Sequence, residues 1–236
     1  MNDIEAHGGI LPDTLRPVAR LSYPRTAGPR PEALPPETRT VGQLVAESIR
    51  LYSQRFWAVL PLGLAFVGVD LASLHRSVGV QTLLLWAFAP VFSVAYVRAC
   101  SIVSGRAPTA PALAAAVIVF LPFPVLVRLY VLPGLVWFGL IGLAVPAAVV
   151  EGLGIRAALR RGWQLGRADA MHAVGGLATL ALVYGVTRYA LLVLIHTQGG
   201  QTQTVAAVLA DLVLSPLVFV GAALLYGDQA ARVTTE

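Results

Sequence analysis

Lysine is absent from the 236 residues, so all 17 basic positions are arginine, and the only cysteine is Cys100. A single cysteine excludes an intrachain disulfide framework and a thiolate metal cluster. Charge of either sign is scarce, at 12% of residues, while 57% are hydrophobic. Soluble domains carry roughly 25% charged residues, and a mean hydropathy of +0.74 completes the case against an ordinary soluble fold. Chemical signatures are missing as well. There is no glycine-rich phosphate loop, no His-Glu-x-x-His and no Gly-x-Ser-x-Gly, and His7, His75, His172 and His196 are scattered without ligand spacing. No metal, cofactor or catalytic activity is expected, an intramembrane hydrolase lacking a nucleophile and base at workable spacing. The pI of 9.9 reflects topology and a basic tail rather than a folded basic face, so nucleic acid is not an expected partner.

What the chain has in quantity is long apolar runs. Residues 1–40 stand apart, with seven prolines, five arginines and no apolar period; such a segment recovers no ordering entropy through a core and reads as a disordered cytoplasmic tail. It contains no short apolar stretch of the kind that marks a secretory signal. A bilayer crossing needs about 20 residues at ~1.5 Å each, which predicts spans at about 57–74, 80–103, 110–127, 131–150, 171–195 and 204–226. Between Thr109 and Val150 the only charge is Arg128, so 110–150 holds either two full spans or a reentrant pair. Prolines at 61, 90, 122, 124, 146 and 216 are expected to kink the spans rather than break them.

Flanking arginines set the orientation. With the amino terminus inside, the inner face receives the tail, Arg50, Arg55, Arg98, Arg106, Arg156, Arg160, Arg161, Arg167 and Arg232, and the outer loops only Arg76 and Arg128. Both termini are therefore expected in the cytoplasm, with the protein in the cell (inner) membrane. Two segments look amphipathic. After a capping-box pair, Thr40 and Gln43, apolar residues recur at helical spacing through 41–55; in 155–167 one arc carries Ala158, Gly162, Leu165, Gly166 and Trp163 and the other Arg156, Arg160, Arg161 and Arg167. The fold class expected is an all-α integral membrane protein of six transmembrane helices plus two cytoplasmic interfacial amphipathic helices. The arginine strip, with Trp163, has two readings: contact with anionic lipid or a partner, or a plug on the inner face of the bundle. Gly162 and Gly166, spaced small-xxx-small, point to close helix packing, and Glu151 to an anchor for Arg160 or Arg161.

Ionisable groups at membrane depth are expensive and need partners. Asp70, Arg128, Arg188 and Asp211 belong to the outer half, with Arg188 and Asp211 at matching depth on adjacent antiparallel spans. Either the four line a polar cavity for a charged or zwitterionic solute or lipid headgroup, or Arg188 and Asp211 form a structural salt bridge with Asp70 and Arg128 at the interface.

The run Val145 to Gly152, followed by Ala157-Ala-Leu-Arg-Arg-Gly-Trp-Gln-Leu-Gly-Arg167, resembles the multipass membrane domain attached to some bacterial glycerophosphoryl diester phosphodiesterases and found in stand-alone relatives. The helix Val41 to Trp57 and the final Pro216 and Tyr226-Gly-Asp228 are similar to the beginning and end of such domains. Gly162 stands where the resemblance calls for a small hydroxyl residue, and Gln229 where it calls for a basic one. The resemblance implies a membrane module without the catalytic barrel. The expected function is an accessory or scaffold module associating with membrane lipid or a protein partner; the competing expectation is a transporter or lipid-handling protein whose site is the outer polar cluster.

Overall fold

A computed structural model describes residues 35–234, and most of the expected disordered tail, residues 1–34, lies outside the described residues. The described chain is helical, without a strand. Six helical stretches are long and apolar enough to cross a membrane: Phe56–Ser73, Val78–Ser104, Ala110–Leu129, Val131–Val150, Ala170–Leu194 and Gly200–Val233.

Before the first of these lies α1 (Val41–Gln54), opened by a reciprocal cap in which the Thr40 hydroxyl accepts from the Gln43 backbone N–H and the Gln43 side chain accepts from that of Thr40. The six residues ahead of α1 depart from the tail expectation. Pro36–Thr38 forms a 3-10 turn, and Arg39 reaches Asp228 near the far end of the chain at 2.7 Å. A buried carboxylate orders a segment whose composition alone offers nothing to bury.

The prolines divide into two groups. Pro90 and Pro216 lie inside unbroken helices, α4 (Val78–Ser104) and α11 (Gly200–Thr234), as a membrane helix tolerates. Pro61 and Pro122 correct the kink expectation, because each marks an interruption. The first span is α2 (Phe56–Val59), a 3-10 stretch Leu60–Gly63 and α3 (Leu64–Ser73); the third is α5 (Ala110–Phe120) and α6 (Phe123–Leu129). Pro122 and Pro124 remove two N–H donors within three residues, leaving the last carbonyls of α5 without intrahelical partners. Two indoles meet other carbonyls freed where the helix is interrupted: Trp137 Nε1 donates to the Val119 carbonyl at 2.9 Å and Trp86 Nε1 to that of Leu121 at 2.8 Å. The fourth span is likewise divided, into α7 (Val131–Ile141) and α8 (Ala144–Val150). The third and fourth stretches run back to back, α6 against α7 and α5 against α8.

The long helices α10 (Ala170–Leu194) and α11 pack together along their length, and α11 also meets α1, α3 and α4. At the centre an aromatic cluster joins α3, α4, α5 and α11: Phe92 has its ring centroid 5.1 Å from Phe66, 5.8 Å from Phe120 and 6.2 Å from Phe219. Lipid tails are as apolar as these side chains, so such a bundle depends on close packing and polar links.

α9 (Ile155–Ala168) illustrates the packing. Ala158, Gly162, Leu165 and Gly166 are buried against α5, α7, α8 and α11. A Cβ on Gly162 would stand 2.4 Å from the Ala144 nitrogen, and one on Gly166 2.6 Å from the Leu140 Cα. Trp163, placed with the apolar arc from the sequence, is 42% exposed, since it lies about 100° around the helix from Gly162.

Gly162→Leu forces α9 away from backbone atoms that cannot yield, and the overpacking should cost about 1–3 kcal/mol. Thermal unfolding in detergent is expected to shift down by several degrees, whereas Gly175→Ala, where a Cβ would meet nothing within 4 Å, leaves it unchanged.

Candidate functional site

α3, α10 and α11 meet at the end of the bundle opposite α1 and α9, and each contributes an ionisable side chain. Arg188 on α10 donates from Nε to Asp211 Oδ1 at 2.7 Å and from Nη2 to Asp211 Oδ2 at 3.3 Å. The same Nη2 makes a short ion pair with Asp70 at the end of α3. Tyr184, one turn before Arg188, donates its hydroxyl to Asp211 Oδ1 at 2.5 Å. The two carboxylates differ in setting: the Asp211 side chain is 1% exposed, that of Asp70 42%. Asp211 is a fully satisfied anchor, and Asp70 keeps an open edge.

Arg128 is not part of this cluster. It is exposed in the last turn of α6, with no ion pair among the described residues. A cation in that position already interacts favourably with the carbonyl end of its own helix.

Beside the cluster lies a cavity of about 510 Å³ between α3, α4, α5, α6 and α10, within the usual range for small-molecule sites of roughly 300–1,000 Å³. Phe66, Phe92, Phe120 and Phe123 supply its apolar wall, and Asp70, Tyr184 and Arg188 its polar edge. Gly185 and Tyr189, both exposed, stand at its rim. α6, which begins just after the break at Pro122, lends Phe123, Pro124 and Val127 to the cavity wall, facing α10, with which α6 does not pack closely. Asp70 also borders a shallower cleft of about 410 Å³ lined by Ser73, His75 and Gln81.

The other end of the bundle holds a second network. Asp169 caps α10 by accepting from the His172 N–H at 2.9 Å and makes a short ion pair with Arg232. Arg232 donates to the Arg39 carbonyl at 2.9 Å, and Asp228, fully buried, pairs with Arg39 and lies 3.8 Å from His172 Nε2. These contacts join the start of α10, the end of α11 and the segment before α1. Nearby, Arg161 Nε donates to Glu151 Oε1 at 3.0 Å and the Tyr226 hydroxyl donates to the same oxygen at 2.5 Å. Arg161 is thereby withdrawn from the expected arginine strip; Arg156, Arg160 and Arg167 remain exposed, with the Arg167 guanidinium 5.5 Å from the centroid of the Trp163 ring. On α1, burial pushes the Tyr52 phenol above its ordinary value. No group of three or more metal-ligating side chains occurs among the described residues.

Sequence reasoning missed Tyr184 and the Arg39–Asp228–His172 group. Tyr184 carried a signal, since residues four apart share a helix face. The second group carried none, as Arg39 lies in proline-rich sequence and its partner is 189 residues away.

Asp211→Ala leaves Arg188 with Asp70 as its one carboxylate and the Tyr184 hydroxyl without its acceptor inside the bundle, which should cost about 2–3 kcal/mol, as for buried polar groups left unsatisfied. Asp70→Ala should cost about 1 kcal/mol or less, as at an exposed pair. Unfolding midpoints of the two variants in one detergent separate these values. Comparison of the chain with protein-family models, curated proteins and solved structures finds no match in any of the three.

Proposed function

We propose that the protein is a multi-pass membrane protein that binds an amphiphile, a lipid or lipid-like molecule, in the cavity between α3, α4, α6 and α10. The observation that carries this reading is the composition of the cavity wall: four phenylalanines on one side and Asp70, Tyr184 and Arg188 along one edge. An aqueous solute would find too few polar partners there, and a pure hydrocarbon would leave the charged edge unmet. A molecule with a tail and a head matches both parts of the wall.

The arginine distribution supports an orientation with both ends of the chain in the cytoplasm. In that orientation α1 and α9 lie at the cytoplasmic interface and the cavity opens in the outer half of the bilayer. A lipid-handling role is also in keeping with the resemblance to the membrane domain of the glycerophosphoryl diester phosphodiesterases.

A cavity-filling variant tests the reading without disturbing the ion pairs. A Cβ at Gly185 would meet nothing within 4 Å, so Gly185→Trp places its ring at the cavity rim without backbone strain. Native mass spectrometry of protein gently extracted from its membrane is expected to show a bound amphiphile on the wild type and its loss, by about tenfold, on the variant at unchanged melting temperature, the loss corresponding to ~1.4 kcal/mol. An equally occupied variant would overturn the assignment.

One observation favours a second reading, an accessory module that docks on anionic lipid or a partner. Arg156, Arg160 and Arg167 point away from the bundle beside the exposed Trp163, and Met171, at the start of α10, is 87% exposed. A basic residue near an anionic surface contributes about 1 kcal/mol. Replacing the three arginines with Gln should abolish preferential retention of phosphatidylglycerol over phosphatidylcholine while leaving insertion intact; unchanged retention would remove this reading.

A further inference from the structure

We infer that the cavity selects an amphiphile with a cationic head, a primary or quaternary ammonium, and that Asp70 is the group that receives it. This deepens the amphiphile-binding reading and rests on it.

The charges at the polar edge do not balance. Arg188 supplies one positive charge to two carboxylates, Asp70 and Asp211, so the ionised cluster carries one negative charge in excess. Tyr184 spends its hydroxyl proton on Asp211 and adds none. The other arginines at this end, Arg76 and Arg128, are exposed and make no ion pair with the cluster among the described residues. Asp211 takes two of the guanidinium contacts and the tyrosine, and it is sealed from the cavity. The excess charge therefore resides on Asp70, whose side chain holds one Arg188 contact and is otherwise open.

Asp70 shares its one arginine with a second carboxylate and keeps an open side, and a ligand that brings a positive charge to that side completes its pairing. A ligand with an anionic head would meet the excess charge of the same sign, while a neutral head would leave it unchanged. The surroundings of Asp70 also suit a cation. Phe66, Phe123, Tyr184 and Tyr189 line the cavity, and aromatic rings attract cations, quaternary ammonium ligands among them. The cleft on the other side of Asp70, with Ser73, His75 and Gln81, gives the head access to the carboxylate from the end of the bundle, while the larger cavity receives the tail.

Direct binding of three radiolabelled dodecyl probes, dodecyltrimethylammonium, 1-dodecanol and dodecyl sulfate, to the full chain in a maltoside detergent tests the inference, with protein-free micelles subtracted. The cation should bind about tenfold more tightly than either of the others, the scale of a desolvated cation–aromatic site. In Asp70→Asn the preference for the cation over dodecanol, read as the ratio of the two affinities, should fall to about threefold or less. Dodecanol or dodecyl sulfate binding as well as the cation would overturn the inference and leave the amphiphile reading standing. Absence of saturable binding by all three would overturn both. An Asp70→Asn protein that keeps the full preference would overturn the role of Asp70, and if that variant fails to fold, the three probes on the wild type still decide the cation selectivity.

Discussion

Arg188 on α10 cannot stand alone among apolar helices, and the two carboxylates that meet it determine which helices come together. Asp211 holds α11 to α10 at one end, and Asp70 draws the end of α3 to the same guanidinium. At the other end Asp169 and Arg232 join the same two helices in the opposite sense, and Arg39 ties the chain before α1 to Asp228 on α11. The antiparallel pair α10–α11 is thus fastened at both ends by charges that apolar surroundings make costly to separate. Between the fastenings the two helices need only pack, and Gly221 of α11 lets Leu180 of α10 approach to where a Cβ would stand 2.4 Å from it.

The breaks in the shorter spans serve the same requirement for satisfied polar groups. Where Pro122 and Pro124 interrupt the third span, Trp86 and Trp137 reach across from α4 and α7 to the carbonyls of Leu121 and Val119. Both indoles therefore hold the break in a defined shape. The residues that follow the break, Phe123, Pro124 and Val127, line the cavity on whose edge Arg188 and Asp70 stand, so it has an apolar side and a charged edge.

Parts of the site could be read from the residues in order. Arg188 and Asp211 fall at the same depth on consecutive spans by helix rise alone, and Asp70 lies close to the same level. Arg128 fits that depth argument too, yet α6 presents it outwards, because depth along a helix says nothing about direction around it when a proline pair has reset the helix phase. The basic stretch 155–167 raises the same difficulty in a milder form. Its periodicity places Arg161 with the other arginines while Glu151 offers an anchor to Arg160 or Arg161; the structure gives Glu151 to Arg161 and adds the Tyr226 hydroxyl.

Composition and periodicity by themselves determined that this is a helical chain with six stretches able to cross a membrane, where they lie, and which helix faces carry charge, because hydropathy and helical spacing are local properties of consecutive residues. They also determined that charges at depth must find partners. The tertiary structure decided which partners those are: Arg188 with two aspartates rather than one, Arg39 with Asp228 across almost the whole chain, and Glu151 with Arg161 and Tyr226. It also decided that a cavity lies beside the cluster, lined in part by the residues after the break at Pro122. Partner choice and cavity shape depend on how separate helices are rotated and stacked against one another, which no window of neighbouring residues contains.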